Sequence, residues 1–207
     1  MSQKIFIALT MYLTALIASN TLGIKLMPFI LGTHLSVAIF AFPIVFLMTD
    51  VIGEVYGQAM SRQFVKMGIY CNLIFLAFNF LSNIMPSSPD FFMKEAYNQI
   101  FGLSLRFAIA SLVAFAIGEY QDVFSFFFLR AKMGSKWFWL RSNASNLWGQ
   151  LIDSTIWSLI AFAGVYPLKT IVMIIIPWWL FKFGMGALYT PFSYLGIWLL
   201  RRGEEKN

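Results

Sequence analysis

Charged residues are scarce in this chain of 207 residues. They make up 12% of the sequence, whereas hydrophobic residues make up 59% and aromatic residues 18%. A soluble domain has about 25% charged residues and roughly 45 to 50% apolar residues. The composition therefore excludes a soluble globular protein and favours one that lies within a lipid bilayer.

Cysteine and histidine are also nearly absent, and this limits the chemistry that the chain can perform. The single Cys71 cannot form an internal disulfide, and its apolar surroundings predict a small buried side chain. The single histidine, His34, lies near a predicted helix start. The sequence has no cluster of Cys and His for a metal and no phosphate-binding glycine loop. We therefore predict no metal, no cofactor and no enzyme activity.

The net charge of +6 does not indicate a nucleic-acid partner. The basic residues are scattered between apolar stretches, whereas a nucleic-acid-binding protein gathers them into one face. The excess instead fits loops at the anionic, cytoplasmic surface of a membrane.

Long apolar segments predict an all-α, polytopic membrane protein with six transmembrane helices in a single domain, residues 1–207. About 20 mostly apolar residues cross a bilayer, and the charge-free run from Ile5 to Ile24 is long enough to be an uncleaved first helix. The six helices are predicted near residues 5–26, 34–56, 64–85, 105–130, 144–166 and 170–200. The clearest loop between them is the segment MPSSPD, Met85 to Asp90.

The last predicted helix is too long for one straight, untilted span, and it contains Pro177 and Pro191. Two arrangements are open: a short interfacial piece precedes the true span, or one helix is tilted and kinked at proline.

The distribution of Lys and Arg predicts the orientation. Ten of these residues fall on one side of the predicted spans and four on the other, while Lys182 falls within the last span. Because cytoplasmic loops carry the excess of positive charge, both termini are predicted to be cytoplasmic, in a bacterial inner membrane. The ten residues are Lys4, Arg62, Lys66, Arg130, Lys132, Lys136, Arg141, Arg201, Arg202 and Lys206; the four are Lys25, Lys94, Arg106 and Lys169.

Five of the nine acidic residues lie inside predicted spans. A charge at mid-bilayer costs about 2.5 to 3.5 kcal/mol on insertion scales, so we expect these carboxylates to face a polar interior, pair with bases or be protonated. Glu54 and Asp122 lie nearest the predicted ends, where reaching the headgroups is the alternative. The five residues are Asp50, Glu54, Glu119, Asp122 and Asp153.

The spacing of the polar residues predicts stripes on three helices. Residues three or four positions apart share one helix face, and this applies to Asp50 with Glu54, Glu119 with Asp122, and Gln150 with Asp153. Because lipid offers no hydrogen bonds, the stripes should converge on one another or on a water-filled cavity. The candidate substrate-binding residues are Asn20, Asp50, Glu54, Glu119, Gln121, Asp122, Asn143, Gln150, Asp153 and Lys182.

Small residues recur every four positions in the first helix, at Ala15, Ser19 and Gly23. This ridge suits packing against a neighbouring helix, which we favour, or against a second protein.

Several strings together resemble the queuosine precursor transporter family, also called the vitamin-uptake-transporter-like family. The resemblance covers nearly the whole chain. The sequence departs from the family pattern at Glu119, where the family has Gln, so the polar group at this position in the fourth helix differs from that of the family. The strings are SNTLGIK at 19–25, FPIVFLMTDVIGEVYG at 42–57, ASLVAFAIGEYQD at 110–122, RSNASNLWGQLIDS at 141–154, and Lys182 with Thr190, Pro191 and Tyr194.

The resemblance implies import of deazaguanine bases, the cyano or aminomethyl precursors of queuosine, a modified nucleoside of tRNA. It also implies similarity to the membrane substrate-binding components of energy-coupling-factor vitamin importers. A carboxylate can accept both adjacent N–H groups of a guanine-like edge, and aromatic rings can stack on the base. We expect the carboxylate of Glu54, Glu119 or Asp122 to accept hydrogen bonds from that edge.

The remaining polar residues complete this expected site, among the second, fourth, fifth and sixth predicted helices. Asn143, Gln150 and Asp153 would form its polar wall, and Lys182 would balance its charge. The intramembrane carboxylates raise proton coupling as a secondary hypothesis.

Other functions stay open at this stage. The protein could be a binding subunit that needs an ATP-hydrolysing partner, with the Ala15, Ser19 and Gly23 ridge as its docking surface. It could also be an intramembrane enzyme acting through Ser and Asp, although no nucleophile has an evident base, or a structural membrane protein. A homo-oligomer is a further alternative. The sequence does not choose between the cyano base, the aminomethyl base and queuine.

Overall fold

The computed structural model describes residues 3–22, 25–28, 34–102 and 105–202. Within them the chain is predominantly helical, with one two-stranded sheet and a 3₁₀ helix at Val37–Phe40. The strands are β1 (Leu26–Pro28) and β2 (His34–Ser36). The helices are α1 (Gln3–Leu22), α2 (Phe42–Tyr56), α3 (Gln58–Ile84), α4 (Lys94–Phe101), α5 (Leu105–Met133), α6 (Phe138–Phe162) and α7 (Leu168–Arg201).

The predicted helical class is confirmed, but two local predictions are wrong. Leu26, the predicted last residue of the first helix, lies in β1, and the predicted start of the second helix at 34–36 forms β2; the two strands pair antiparallel with Leu26 opposite Ser36. His34 therefore lies in a strand. The short helix α4, which follows the expected loop at 85–90, was not predicted. It is amphipathic and contains Lys94 and Glu95, so hydropathy alone did not indicate it.

Four helices of the described chain are long and apolar enough to cross a membrane: α1, α3, residues Phe107–Met133 of α5, and α7. The protein is thus a polytopic helical membrane protein. Helix α2 has 15 residues, or about 22 Å, which is shorter than a hydrocarbon core of about 30 Å. Helix α6 is long enough, but it is rich in Ser, Asn and Gln.

Helix α7 is one continuous helix of 34 residues with both Pro177 and Pro191 inside it. The alternative of a separate short piece before the last helix is therefore wrong. At 1.5 Å per residue the helix is about 51 Å long, so it must tilt or project from a bilayer.

Polar contacts show which helix ends meet. The Lys4 ammonium, at the start of α1, donates to the carbonyls of Leu199 and Leu200 near the end of α7. Arg130, near the end of α5, donates to the Gly53 carbonyl near the end of α2. Arg141, near the start of α6, binds Glu54 on α2. Arg201 of α7 also lies 3.6 Å from Glu54, so the starts of α1 and α6 and the ends of α2, α5 and α7 share one side of the bundle. Because α3 begins at Gln58, directly after α2 ends at Tyr56, the six long helices alternate in direction.

Helix α6 has an inverted pattern of burial. Its polar side chains face inward, whereas Trp148 and Trp139 are 57% and 46% exposed. A water-soluble helix buries its apolar face, so this arrangement is typical of a helix with lipid on one side and a polar interior on the other. The buried polar residues are Arg141, Ser142, Ser145, Asn146, Gln150, Asp153, Ser154 and Ser158.

The small-residue ridge of α1 packs within the protein as far as it is described. Ala15 and Ser19 are both buried, and the Ser19 hydroxyl donates to the Leu16 carbonyl of its own helix. Gly23 lies outside the described residues.

Candidate substrate site

Four carboxylates from three helices gather inside the bundle. Asp50 comes from α2, Glu119 and Asp122 from α5, and Asp153 from α6, and none is more than 6% exposed. Asp122 is close enough to interact electrostatically with Asp50 and Glu119, and Glu119 also interacts with Asp153. The predicted convergence of the polar stripes is thus observed for these four residues, which we call the carboxylate cluster.

Two glycines allow α5 and α6 to bring these carboxylates together. A Cβ atom added to Gly118 would lie 3.0 Å from the Asp153 Cβ, and one added to Gly149 would lie 3.1 Å from the Asp122 Cβ. Each glycine thus faces a carboxylate-bearing residue of the other helix. Small residues at a helix crossing let the backbones approach closely, and here they set the distance between the two polar faces.

Two short contacts join the cluster to its neighbours. The Ser142 hydroxyl of α6 donates to Asp50 Oδ2 at 2.5 Å, which ties α6 to α2. Lys182 Nζ of α7 lies 2.6 Å from Asp153 Oδ2, and it also lies 4.8 Å from the centroid of the Phe42 ring. Lys182 therefore forms an ion pair with one carboxylate of the cluster.

Many polar atoms of this region have no hydrogen-bond partner among the residues that the structure describes. They include Asp50 Oδ1, both carboxylate oxygens of Glu119 and Asp122, and both polar atoms of the Gln150 amide. Buried polar groups are normally paired, because an unpaired one costs free energy. A ligand, a water or a proton is therefore expected to complete the cluster.

Two nearby hydroxyls do not supply all the donors that these carboxylate oxygens lack. Thr49 lies beside Glu119, and Ser145 lies beside Asp122. However, Thr49 donates to the Phe46 carbonyl at 2.7 Å and Ser145 to the Ser142 carbonyl at 3.0 Å. Each hydroxyl has one hydrogen to donate, so even a hydroxyl turned towards the carboxylate would leave one oxygen of Glu119 and one of Asp122 without a donor.

Glu54 lies in a different environment, although it shares α2 with Asp50. Its carboxylate is 3.0 Å from Arg141, 3.5 Å from Arg130 and 3.6 Å from Arg201. The Arg141 side chain is fully buried, whereas the other two are partly exposed. We call these four residues the arginine cluster, and it joins α2, α5, α6 and α7 at one end of the bundle.

Two of the predicted site residues bind partners outside the carboxylate cluster. The Asn20 amide of α1 donates to Asn72 Oδ1 of α3 at 2.9 Å. The Gln121 amide donates to the Ser125 hydroxyl one turn further along α5 at 3.0 Å.

Asn143 instead faces α7. Its amide donates to the Thr190 hydroxyl at 3.0 Å and to the Trp139 carbonyl at 2.7 Å. It lines a cleft of about 640 Å³ between α6 and α7, together with Trp139, Tyr194 and Pro191.

Sequence reasoning missed Ser142 and treated Arg141 as a loop residue. Both lie on the buried face of α6, which also includes Ser145, Asn146 and Gly149. The sequence does contain a signal for this face. Pairs of adjacent small or polar residues recur every four positions, at 141–142, 145–146, 149–150 and 153–154, and this spacing places them on one side of a helix.

Comparison with known proteins identifies the family. Residues 36–196 match a family model described as "Putative vitamin uptake transporter", and three curated relatives carry the name queuosine precursor transporter. The chain belongs to the queuosine precursor transporter family. Of the ten candidate residues, Asn20 alone lies outside the segment that matches this family.

The family members that resemble the chain come from several bacteria. The "Probable queuosine precursor transporter" of Bacillus subtilis (strain 168) is 31% identical over 166 residues, which are 79% of this chain and 72% of the relative. The "Queuosine precursor transporter" of Escherichia coli (strain K12) is 29% identical over 74% of this chain and 67% of the relative. A third relative, from Haemophilus influenzae, is 27% identical over 74% of this chain and 59% of its own length. No solved structure matches the chain.

Proposed function

We propose that the protein imports queuosine precursors across the bacterial inner membrane and binds the base at the carboxylate cluster. The names of the three relatives support the transport function. The observation that carries the site is the set of five buried carboxylate oxygens, on Asp50, Glu119 and Asp122, that lack donors within the described residues. A deazaguanine base supplies the missing donors, because its guanine-like edge presents adjacent N–H groups and a carboxylate has two acceptor oxygens.

The proposed site is narrower than the predicted set of residues. Asp50, Glu119 and Asp122 accept hydrogen bonds from the base, Gln150 offers both a donor and an acceptor, and Lys182 holds Asp153 in place. The other four candidates have partners elsewhere and would support helix packing instead: Asn20, Gln121, Asn143 and Glu54.

We further propose six membrane spans, formed by α1, α2, α3, α5, α6 and α7, with both termini in the cytoplasm. The alternating direction of these helices supports this topology. The short helix α2 would cross together with the 3₁₀ helix before it. The overall architecture would then resemble that of the membrane components of energy-coupling-factor vitamin importers.

Labelling of single cysteines tests this topology. Ser135 lies between α5 and α6 at the end of the bundle proposed to be cytoplasmic, and Asp90 lies in the loop after α3 at the other end. In a Cys71→Ser background, Asp90→Cys should react with a membrane-impermeant maleimide in intact spheroplasts. Ser135→Cys should react only after permeabilisation, and the opposite pattern would reverse the orientation.

Uptake of labelled base tests the site. Cells that lack their own queuosine precursor synthesis would express each variant, and membrane abundance would be matched by immunoblot. Glu119→Gln and Asp122→Asn should each lower uptake by about tenfold or more, because a hydrogen bond to a charged group contributes about 1.5 to 3 kcal/mol. Glu95→Gln on the exposed helix α4 is the matched control and should retain full uptake. Full uptake by both cluster variants would show that the site lies elsewhere.

Movement of the helices is a necessary part of this proposal, because the cluster is almost sealed from solvent. Opening requires α2 or α7 to separate from α5 and α6, so that the base can enter from one side and leave from the other. Proton coupling would use the same carboxylates as proton carriers. Uptake that is indifferent to a collapsed proton gradient would remove this part of the proposal.

An ATP-driven importer is the second candidate function. A groove of about 440 Å³ between α1 and the start of α2 is lined by apolar residues, including Met11, Ala15 and Phe40. Met11 and Phe40 are more than half exposed, so the groove is accessible to a partner helix. Uptake by the purified protein alone, in liposomes without ATP, would eliminate this candidate.

A further inference from the structure

The cleft between α6 and α7 opens on the outer surface of the bundle. Its volume is about 640 Å³, and its walls include Trp139 of α6 with Phe183, Ala187 and Tyr194 of α7. Trp139, Ala187 and Tyr194 are all exposed, so the cleft is open along its length. Because the outer surface of a transmembrane bundle faces lipid, an occupant of this cleft enters it from the bilayer.

The cleft has the length of one lipid leaflet. Its α7 wall consists of side chains spaced three or four residues apart, which lie on one face of the helix. From Phe183 to Tyr194 the helix rises about 16 Å, which is close to half of a hydrocarbon core of about 30 Å. An acyl chain that lies along α7 would therefore cover the apolar and aromatic wall from end to end.

Positive charge lies beyond one end of the cleft. Arg201 follows Tyr194 by seven residues, so it lies on nearly the same face of α7, about 10 Å closer to the end of the bundle. Its side chain is 57% exposed, and its contact with Glu54 is long, at 3.6 Å. In the part of the chain that the structure describes, Glu54 is the only carboxylate that pairs with Arg201, Arg130 or Arg141. Three guanidinium groups thus share one carboxylate, and the most exposed of them is able to bind a second anion.

The start of α6 forms the other side of this end of the cleft. The backbone N–H of Trp139 donates to the Tyr194 hydroxyl at 3.2 Å, which joins α6 to α7. Lys136 and Trp137 precede Trp139 and are exposed, and the Lys136 carbonyl accepts from Arg141 Nε at 3.3 Å. Exposed tryptophans next to basic residues are typical of the level of the lipid headgroups.

We propose that one anionic phospholipid binds at this cleft, with its phosphate at Arg201 and Lys136 and one acyl chain between Trp139, Phe183 and Tyr194. Guanidinium and ammonium groups bind phosphate through charge-assisted hydrogen bonds. A zwitterionic lipid carries its own cation, which weakens this attraction. The end of the bundle is the one that we propose to be cytoplasmic, and anionic lipids attract basic segments at the cytoplasmic surface. The site does not depend on which base the protein transports.

Native mass spectrometry of the purified wild-type protein tests the choice of lipid. Phosphatidylglycerol and phosphatidylcholine with identical acyl chains would be added at equal concentrations. We expect phosphatidylglycerol to bind at least about fivefold more tightly, since each basic residue near a membrane surface attracts anionic lipid by about 1 kcal/mol. Equal binding of the two lipids would overturn the proposal. Glycerol 3-phosphate has the phosphate but no acyl chain, so it should not displace the lipid; displacement at similar concentrations would show a site for a free anion instead.

Variants of exposed residues then locate the lipid. Arg201→Gln should lower the ratio of the two affinities by about fivefold, whereas Arg62→Gln, exposed near the start of α3 at the same end of the bundle, should leave it unchanged. Ala187→Trp should fill the cleft and weaken the binding of phosphatidylglycerol. Leu188→Trp is the matched control, because Leu188 is the next residue of α7 and is exposed outside the cleft.

Thermal unfolding would confirm that all four variants are folded. An unchanged ratio in Arg201→Gln, or unchanged binding in Ala187→Trp, would overturn the proposal. Control variants with the same effects as Arg201→Gln and Ala187→Trp would place the lipid elsewhere on the protein and would also overturn it.

Discussion

Replacement of Glu54 by Gln should destabilise the protein more than its small change in shape suggests. The substitution keeps the volume but leaves Arg141, Arg130 and Arg201 without their shared counter-charge. The Arg141 side chain is fully buried, and breaking a buried ion pair by removing one partner costs about 3 to 5 kcal/mol. The exposed Arg201 contributes little, since a solvent-exposed pair stabilises by about 0 to 1 kcal/mol. We therefore expect a loss of about 3 kcal/mol, near the lower limit for a buried pair, because the Gln oxygen can still accept a hydrogen bond.

Thermal unfolding in detergent measures this loss. For a protein of about 200 residues, 1 kcal/mol corresponds to roughly 2 to 4 °C, so Glu54→Gln should lower Tm by roughly 6 to 12 °C. Arg201→Gln removes the most exposed arginine of the same cluster and should lower Tm by less than about 4 °C. The double variant Glu54→Gln with Arg141→Gln should recover part of the loss, because no buried charge is then left alone. Equal, small shifts for Glu54→Gln and Arg201→Gln would refute the assigned role of the arginine cluster.

Two further substitutions test the packing and the charge balance of the site. Gly149→Val should lower both Tm and uptake, because its Cβ would lie 3.1 Å from the Asp122 Cβ and would force α5 and α6 apart, which costs about 1 to 3 kcal/mol. Gly184→Ala should be tolerated, because a Cβ at Gly184 would meet open space. Equal effects of the two substitutions would contradict the close crossing of α5 and α6. Lys182→Gln should impair uptake, because it leaves the Asp153 carboxylate unpaired. The double variant Lys182→Gln with Asp153→Asn should regain stability, whether or not it regains uptake. A double variant that is less stable than Lys182→Gln alone would argue against the ion pair.

The long apolar helices could be predicted from the sequence, because hydropathy depends on residues that are close together in the chain. Their ends could not. The segments around Leu26 and Ser36 are apolar enough to continue a helix, but they pair with each other as strands. Short strands and helix ends look alike in an apolar run, and main-chain pairing between two segments leaves no periodic signal in so few residues.

The candidate site could be predicted in part for a related reason. Asp50, Glu119, Asp122 and Asp153 were identified because a membrane excludes charge, and the fold brings them together. The partners of Glu54 depend on where α6 begins. The predicted start at residue 144 left Arg141 in a loop, whereas the helix begins at Phe138 and directs Arg141 inward.

A shift of one residue on α6 explains why Asn143 lies apart from the carboxylate cluster. Successive side chains of an α-helix point about 100° apart, so Asn143 lies on a different face from Ser142. Ser142 binds Asp50 on α2, whereas Asn143 binds Thr190 on α7. Spacing along one helix shows which residues share a face, but only the packing of the helices shows which neighbour that face meets.

The inverted burial pattern of α6 has a consequence for how the protein enters the membrane. A segment with Asp153 near its centre and several further polar side chains partitions poorly into lipid alone, since a charge at the helix centre opposes insertion by about 2.5 to 3.5 kcal/mol. Helix α6 would have to insert as a hairpin with α5, whose carboxylates and glycines receive its polar face. Substitutions that make α6 more apolar should therefore improve its insertion by the translocon while removing groups of the proposed base site. Membrane insertion would then favour a more apolar α6, whereas transport would favour a more polar one.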